Sequence, residues 1–433
     1  MTIGTATFRP DAAAGYGHLS RSLALATAWR AAGGDVVVDA PGIDDQWRRR
    51  YADLGASFTP ARSDWCILDG YSFGTEEQRA ARADHDRLLV IDDHASLGTY
   101  DTDVLLDHNI GATRVPGTDA VQLLGTGYLL LRPEFDDVDR SLSPDRRRIL
   151  LAPGGAPDRA TATLFEEVAA IVSDAGAEAV WLRGVDDVAS AMTSAGAAVA
   201  AAGVTAYELC RVGTPSILVA VAANQEPVGT RLAARGAVRY AGRLDSTGAP
   251  ALAEAALRLL DDPGDLSAAA RQVVDGRGAK RVVAVLRSFR LDFRAAGPDY
   301  AVLTWEWAND PEVRRQSFAS APIPLDEHRA WFDRRLADPN TDHAIALLDG
   351  TPIGQVRFER SSTWTLNYLV APEHRGRGLA APMLVAATRR LSAGPNAIEA
   401  LVKPGNTASS AALDLAGFRL VESDDLRLRY VHP

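Results

Sequence analysis

Apolar residues in the first half of the chain come in short unbroken runs, each closed by polar residues, and the runs alternate with longer stretches of helical period. ATFRPD is the first run. HLSRSLALATAWRAAG then repeats apolar positions at three- and four-residue spacing and ends in a glycine stop, and DVVVDAPG, WCILDGY, LLVIDDH and DVLLDHN follow. Runs of this kind are strands buried on both faces of a parallel sheet, with helices as crossovers. Ligand groups gather at the C-terminal ends of such strands. Around Arg132 to Pro144 the chain turns charged and proline-bearing, which reads as a hinge. The pattern then starts again: ILLAPGG, the helix ATATLFEEVAAIVSDAG, AVWLRG, AAVAAAG, the helix TAYELCRVG, the strand PSILVAV, the loop AANQEPVG, and a closing helix around Ala269 to Arg287. The expected fold class is α/β, with two Rossmann-like domains, 1–140 and 141–289, facing each other across a cleft.

The remainder, 290–433, has a different texture. It holds half of the 8 tryptophans, an NDPEVR turn, and alternating runs such as HAIALLDG and TPIGQVRFE, and it is long enough for one further domain. A chain of 433 residues is too long for one core. Its 47% hydrophobic and 24% charged residues are ordinary for a globular protein. The net charge of -10 argues against a nucleic-acid partner, which needs clustered Lys and Arg. No stretch of about 18 apolar residues is present, so no membrane span is expected. The start MTIGTATFRPD lacks a basic segment followed by a long apolar run, so no signal peptide is expected and the location is expected to be cytoplasmic. Cys66 and Cys210 sit among apolar residues and read as buried thiols in a reducing compartment. No ligand cluster of zinc type is visible, and no metal is expected.

Candidate chemistry lies where strands end. Gly15, Gly17 and His18 fall where the first strand turns into a helix. Glycine lets backbone approach a ligand, a helix N-terminus attracts phosphate, and a histidine there accepts a proton near neutral pH. The alternative is a histidine that only caps the helix. Asp92 and Asp93 close a strand toward the same crevice, or cap the following turn. Gly154 and Gly155 end one strand of the second half, and Gly203, Val204 and Thr205 end another; both loops turn free N–H groups toward an anion. Glu208, one turn into the following helix, either holds ribose hydroxyls or favours the helix N-terminus. Asn224, Gln225 and Glu226 follow a buried strand, where side-chain amides suit a sugar.

Taken together, FRPDAAAGYGHLSRSLALA, VIDDHA, DVLLDHN, LLGTGYLLLRPEF, LLAPGGA, AAGVTAYELCRVGTPS and the NQE loop resemble the UDP-sugar hydrolases of the pseudaminic-acid pathway, in order, over nearly all of the first 240 or so residues. The resemblance implies a fold like the two-domain GT-B glycosyltransferases and cleavage of a nucleotide sugar at its anomeric carbon with release of UDP. It makes His18 the base that activates water, and it places Asp11, Gly17, Arg21, Asp92, Asp93, Gly154, Gly155, Gly203, Val204, Thr205, Glu208, Asn224 and Gln225 around the UDP-amino sugar. Two departures stand out: Ala195 and Gly196 where an aspartate is common, and Pro157–Asp158 in reversed order. A single base is chemically sufficient, because UDP leaves as a stable anion if N–H groups hold its phosphates. The same cleft would serve a GT-B glycosyltransferase of the lipid-linked murein type, the competing reading.

In the last segment, Arg375, Gly376, Arg377, Gly378, Leu379 and Ala380 follow the apolar run LNYLVAP, with Val370 near its end, in the pattern R-x-x-G-x-A. Such a loop presents N–H groups to a pyrophosphate at the start of a helix. With NTASSAALDLAGF, WANDPEVRRQSF and EHRAWFDRRL, the segment resembles the GNAT acetyltransferases, in the branch acting on amino sugars and ribosomal-protein amines. That resemblance implies acetyl-CoA as donor, bound by the loop together with Asn406 and Ser409. Where many members place a tyrosine that protonates the departing thiolate, this chain has Leu413, so Tyr368 or a water takes that role or the thiolate leaves unassisted. His328 and His374 read as exposed or capping residues, and Glu359 is one candidate for taking the amine proton. The fusion suggests a bifunctional enzyme: N-acetylation of a UDP-4-amino-4,6-dideoxy sugar, then hydrolysis to the free 2,4-diacetamido-2,4,6-trideoxy hexose. An acetyl-CoA sensor fused to a hydrolase is the third alternative.

Overall fold

Three sheets account for the strands of the computed structural model, which describes the chain except for residues 1–2, 15, 137, 139–144, 156, 184, 186, 392–396 and 433. The chain divides into two compact units, Met1–Ala279 and Lys280–Pro433. Gly15, and residues 137 and 139–144 of the expected hinge from Arg132 to Pro144, lie outside the described residues.

The first sheet of unit one contains β1 (Thr5–Pro10), β2 (Asp35–Val38), β3 (Ser63–Asp69), β4 (His85–Ile91), β5 (Val104–Asp107) and β6 (Val121–Leu124), all parallel, in the order β2-β1-β3-β4-β5-β6. Five of these strands are the apolar runs read above. The sixth, β6, was not expected; three of its four residues are only half-buried, and so short an edge strand has little apolar signal. The second sheet contains β7 (Asp145–Ala152), β8 (Glu178–Trp181), β9 (Ala195–Ala201), β10 (Ser216–Ala220) and β11 (Arg239–Arg243), again parallel, in the order β11-β10-β9-β7-β8.

β9 shows why a run without alternation is a central strand. All of its residues are buried; Ala198 and Ala200 face one core, with Leu150 and Leu218, while Ala197 and Val199 face the other, with Ile149 and Ile217. Helix Arg159–Asp174 covers the second of these cores with Leu164, Phe165, Val168 and Val172, an apolar stripe at helical spacing. Each such side chain, fully buried, contributes about 1.5–3 kcal/mol. The expected closing helix is in fact two, Leu266–Val273 and Gly278–Ser288, separated at Asp275–Gly276. The NQE segment is a short 3-10 turn, Ala223–Gln225, running directly into helix Glu226–Ala234.

Unit two is built on a mixed sheet: β12 (Leu291–Ala295), β13 (Thr341–Leu348), β14 (Thr351–Arg360), β15 (Trp364–Val370), β16 (Ile398–Val402), β17 (Arg419–Ser423) and β18 (Leu428–His432), in the order β12-β13-β14-β15-β16-β18-β17. Only β15 and β16 pair in parallel, and only over Trp364–Leu366 against Ile398–Ala400. Beyond that point the two strands splay, and the gap between them shapes the site described next.

Candidate functional site

Strand order locates the crevice in each half of unit one. In the first sheet the order reverses between β1 and β3, so the connections leaving their C-terminal ends diverge and open a cleft. The loop after β1 leads into helix Tyr16–Ala31, whose first two turns carry His18 and Arg21 on one face, three residues apart. β3 ends on Asp69, which is wholly buried. His18 Nδ1 lies 2.7 Å from Asp69 Oδ1; Arg21 reaches the same carboxylate through Nε (2.8 and 2.9 Å) and Nη2 (2.6 Å), and Ser22 Oγ donates to it at 3.2 Å. A carboxylate only accepts, so the contact with Asp69 is made by a proton on His18 Nδ1, which Arg21 Nη2 also approaches at 3.1 Å. Burial on its own would raise the Asp69 pKa; Arg21 and His18 more than offset it and hold the carboxyl below the usual range.

Arg21 continues to Asp93 through Nη1, at 2.8 and 3.0 Å, and Asn109 Nδ2 donates to Asp93 at 2.7 Å. Burial, then Arg21, push the neighbouring His108 down to about 4, so it is neutral; its Nδ1 accepts from Leu130 N at 3.2 Å. Tyr71, two residues past Asp69, is half exposed and stands edge-on to the His18 ring at 5.0 Å. Asp92 points elsewhere: its carboxylate accepts from Ser96 Oγ, Leu97 N and Tyr100 Oη, and so fixes the following turn. Asp11 likewise binds Ala13 N and Ser72 Oγ. Gly17 is already inside the helix, exposed, with open space around it.

In the second sheet the order reverses between β7 and β9, and the loops there are the ones holding Gly154–Gly155 and Gly203–Thr205. Gly154 has φ +105°, a backbone that a side chain would strain. Gly203 starts helix Val204–Val212 with no side-chain cap, so the first N–H groups of that helix stay available to a ligand. Glu208 is buried, and Arg132 donates to its Oε1 at 2.9 and 3.0 Å. Burial raises its pKa and the guanidinium offsets this in part. Gln225 folds back, with Oε1 accepting from Val221 N at 3.1 Å, and Asn224 is exposed. The two halves of unit one touch at Ile110, whose N–H donates to Tyr207 Oη (3.1 Å) and whose carbonyl accepts from Arg231 Nη1 (2.9 Å).

Unit two carries two cavities on β15. One, of about 640 Å³, fills the splay between β15 and β16 and is lined by Val370, Arg375, Gly376, Gly378, Leu379 and Ala380 from the strand end and loop, with Asn406 and Ser409 from the opposite side. Among the described residues, the N–H groups from Gly376 to Leu379 meet no protein acceptor. Arg375 donates through Nη1 to Asp310 (2.7 Å) and through Nε to Val370 O (3.3 Å), while its Nη2 is buried without a partner. Both features suit an anion. Arg377 does not line the cavity; its carbonyl and that of Gly378 are held by Arg287, at 2.9 and 3.0 Å. The other cavity, of about 620 Å³, lies among Trp331, Arg334, Gln355 and Arg357, and it shares Val313, Ser317, Asn367, Tyr368 and Leu369 with the first.

Residues 290–419 match the family model of the acetyltransferase (GNAT) domain. This part of the chain is a GNAT domain. Similar solved structures include aminoglycoside acetyltransferase AAC(6')-Ib in complex with coenzyme A and kanamycin, at 20% identity over 33% of this chain and 94% of that one, TM-score 0.30. Spermidine N-acetyltransferase from Vibrio cholerae in complex with CoA and spermine is 16% identical over 33% and 94%, TM-score 0.30. An acetyltransferase from Thermus thermophilus is 23% identical over 33% and 96%, TM-score 0.29. The assignment rests on the family match and not on these likenesses. No curated protein matches the chain.

Within the GNAT domain, Asn406 caps helix Thr407–Leu415 by accepting from Ser409 N at 3.1 Å, and Leu413 on that helix is fully buried. His328 is not the exposed residue expected: it is 3% exposed, bonds Thr304 through Nε2 at 3.1 Å and lines the second cavity. Its helix, Leu325–Ala337, turns that face inward with Phe332, four residues on. His374 is half-buried and lines the loop cavity, with Nδ1 buried and unpartnered. Glu359 lines neither cavity; it accepts from Arg357 at 2.7 Å. Among the described residues no group of three or more His, Cys, Asp or Glu is placed to hold a metal ion, and no helix is long and apolar enough to cross a membrane.

Proposed function

We propose that the chain is a bifunctional nucleotide-sugar enzyme. Its GNAT domain transfers an acetyl group from acetyl-CoA to the amine of a UDP-4-amino-4,6-dideoxy sugar. The preceding unit hydrolyses the acetylated product to UDP and the free 2,4-diacetamido-2,4,6-trideoxy hexose, as in a pseudaminic-acid pathway. The observation that carries the hydrolase reading is the buried His18–Asp69 pair at the first crossover. Asp69 fixes the Nδ1–H tautomer, and Nε2 is left as the base for a water. One positioned base typically contributes about 10²–10⁴-fold. The loops at Gly154–Gly155 and Gly203–Thr205 supply N–H groups for the diphosphate of the leaving UDP. A GT-B-like arrangement of domains 1–140 and 141–289 would bring the two crossovers to one cleft.

For acetyl transfer, the loop Arg375–Ala380 is the pyrophosphate cradle, and Asn406 and Ser409 border the rest of acetyl-CoA. The cavity beside Trp331 takes the acceptor. Three arginines, Arg314, Arg334 and Arg357, line it against one glutamate, Glu327. That balance favours an acceptor amine carrying negative charge, as a UDP-linked sugar does, over a polycation. The test is mass spectrometry of products from a panel of UDP-amino sugars with acetyl-CoA. The reading requires acetylation and then UDP release. Transfer of the sugar to an added acceptor, with no free hexose, would favour the glycosyltransferase alternative.

A further inference from the structure

The arginines around the cavity beside Trp331 are not equivalent. Arg314 is occupied by the fold: its guanidinium donates to the carbonyls of Ala308 (2.6 Å), Ala319 (3.1 Å) and Ala321 (3.3 Å) and to Ser317 Oγ (3.1 Å). Arg357 is not. Its Nε donates to Glu359 at 2.7 Å, and among the described residues Nη1 and Nη2 donate to nothing. Yet only 17% of its side chain is exposed, and its guanidinium carbon stands 4.8 Å from the centre of the Trp331 ring. A guanidinium held over an indole, with one edge tied and the other open, is a fork fixed in direction. We propose that this open edge binds the phosphate next to the sugar of the acceptor, and that Arg357 thereby makes the GNAT domain selective for amines carried on a phosphate. The proposal rests on reading the cavity as the acceptor site, and it names the residue that selects the acceptor there.

Position supports the assignment. Gln355 and Arg357 alternate on the face of β14 that lines this cavity, and Arg357 stands in register with Asn367 of β15, which lines both cavities. Arg357 does not line the loop cavity, so the pyrophosphate of CoA is not its partner. Helix Leu325–Ala337 supplies another wall, with Glu327, Trp331 and Arg334 recurring at three- and four-residue spacing. Arg334 is exposed and makes no ion pair among the described residues, so a second cation is available nearer solvent. Burial lowers the Arg357 pKa, Glu359 offsets part of this, and Arg335 adds to the positive side. The guanidinium stays charged all the same, and it is left short of negative charge. In a 4-amino sugar joined to UDP through C1, the amine and the phosphate lie at opposite ends of the ring. An amine delivered to the splay of β15 therefore leaves its phosphate behind it, in the cavity that Arg357 lines. Two Nη groups match two phosphate oxygens, which a single ammonium does not.

The test measures thiol release by the full chain with three acceptors: a UDP-4-amino-4,6-dideoxy sugar, the 1-phosphate of the same amino sugar, and that sugar with a free C1 hydroxyl. Wild type is expected to favour both phosphorylated acceptors over the free sugar by about 10–10²-fold in kcat/KM, the range for hydrogen bonds to a charged group. Arg357→Gln is expected to collapse that ratio toward one, through a raised KM for the phosphorylated acceptors, with KM for acetyl-CoA essentially unchanged. A wild type indifferent to the phosphate, or a variant that loses rate on all three acceptors alike, overturns the proposal and leaves acetyl transfer standing. A 1-phosphate no better than the free sugar, beside a preferred UDP-sugar, would assign recognition to the nucleoside and overturn it as well. Should the glutamine variant melt low, Arg357→Lys keeps the charge and most of the stem. It must still narrow the ratio by about 10-fold, the loss of one hydrogen bond to a charged group, and an unchanged ratio would overturn the assignment. A wild type that releases no thiol with any of the three defeats the acceptor reading and the proposal with it.

Discussion

Replacing Asp69 with asparagine removes one negative charge from a buried site where three side chains depend on it. His18 Nδ1, Arg21 Nε and Nη2, and Ser22 Oγ all converge on this carboxylate, which has no exposure to solvent. The amide is nearly isosteric, so packing survives. Arg21 keeps Asp93 but loses its shorter contacts, and breaking a buried ion pair by neutralising one partner typically costs about 3–5 kcal/mol. The shared second carboxylate places this case near the lower end. The effect on chemistry is separate and larger. An asparagine oriented with its NH₂ toward His18 donates to Nδ1, which moves the imidazole proton to Nε2 and abolishes the base. UDP release is expected to fall by about 10²–10⁴-fold, the range for one general base. Acetyl transfer, carried by Lys280–Pro433, should continue. The assay is UDP production from an acetylated UDP-sugar at a temperature where circular dichroism shows the variant folded, beside thiol release on the same preparation. UDP release within threefold of wild type would refute the reasoning, because neither the tautomer nor the ion pair would then matter.

Three further outcomes are expected. Gly378→Glu should abolish acetyl-CoA binding by calorimetry and thiol release while sparing UDP hydrolysis: Gly378 has φ +62° and its Cβ would lie 3.1 Å from Arg287 Nη1, and a carboxylate would repel the pyrophosphate. Glu208→Ala should weaken UDP binding by about 1–3 kcal/mol if the carboxylate receives the ribose; unchanged affinity would reduce it to the partner of Arg132. His108, held at about 4 against an ordinary 6.5, should make unit one acid-labile. The unfolded chain takes up a proton between those values and the folded one does not, so stability falls as pH drops from 6.5 toward 4, by about 3 kcal/mol at 1.4 kcal/mol per unit. Urea midpoints of wild type and His108→Gln should therefore diverge over that window, and parallel curves would contradict the assignment.

Much of this architecture was legible in the residues because buried parallel strands write themselves as unbroken apolar runs. β3, β4, β5, β9 and β10 were each marked that way, and strands of the third sheet by HAIALLDG, TPIGQVRFE and LNYLVAP. The partner of His18 was not legible. Asp69 closes WCILDGY just as Asp92 closes LLVIDD and Asp107 closes VLLD, and nothing local separates them. The order of strands separates them: β3, and neither β4 nor β5, lies beside β1, so the aspartate 51 residues away is the one that meets the histidine. A reader who placed the sheet crossover at β1/β3 would have chosen Asp69. His328 was misjudged for a related reason. Charged neighbours on its helix suggested solvent, whereas its face is set by Phe332 four positions on and by Thr304 from another helix.

The grip of Arg287 on the carbonyls of Arg377 and Gly378 bears on how this protein can be cut. The family match begins at residue 290, but the folded unit begins at Lys280. Within those ten residues, Arg281 is 7% exposed and pairs with Asp414 at 3.0 Å, and Arg287 ties down the cofactor loop. A fragment started at the family boundary would strand Asp414 without this guanidinium and leave the loop untethered. One started at Lys280 keeps both. An inactive shorter fragment would therefore report on where the scissors fell, and would not count against acetyl transfer by the intact chain.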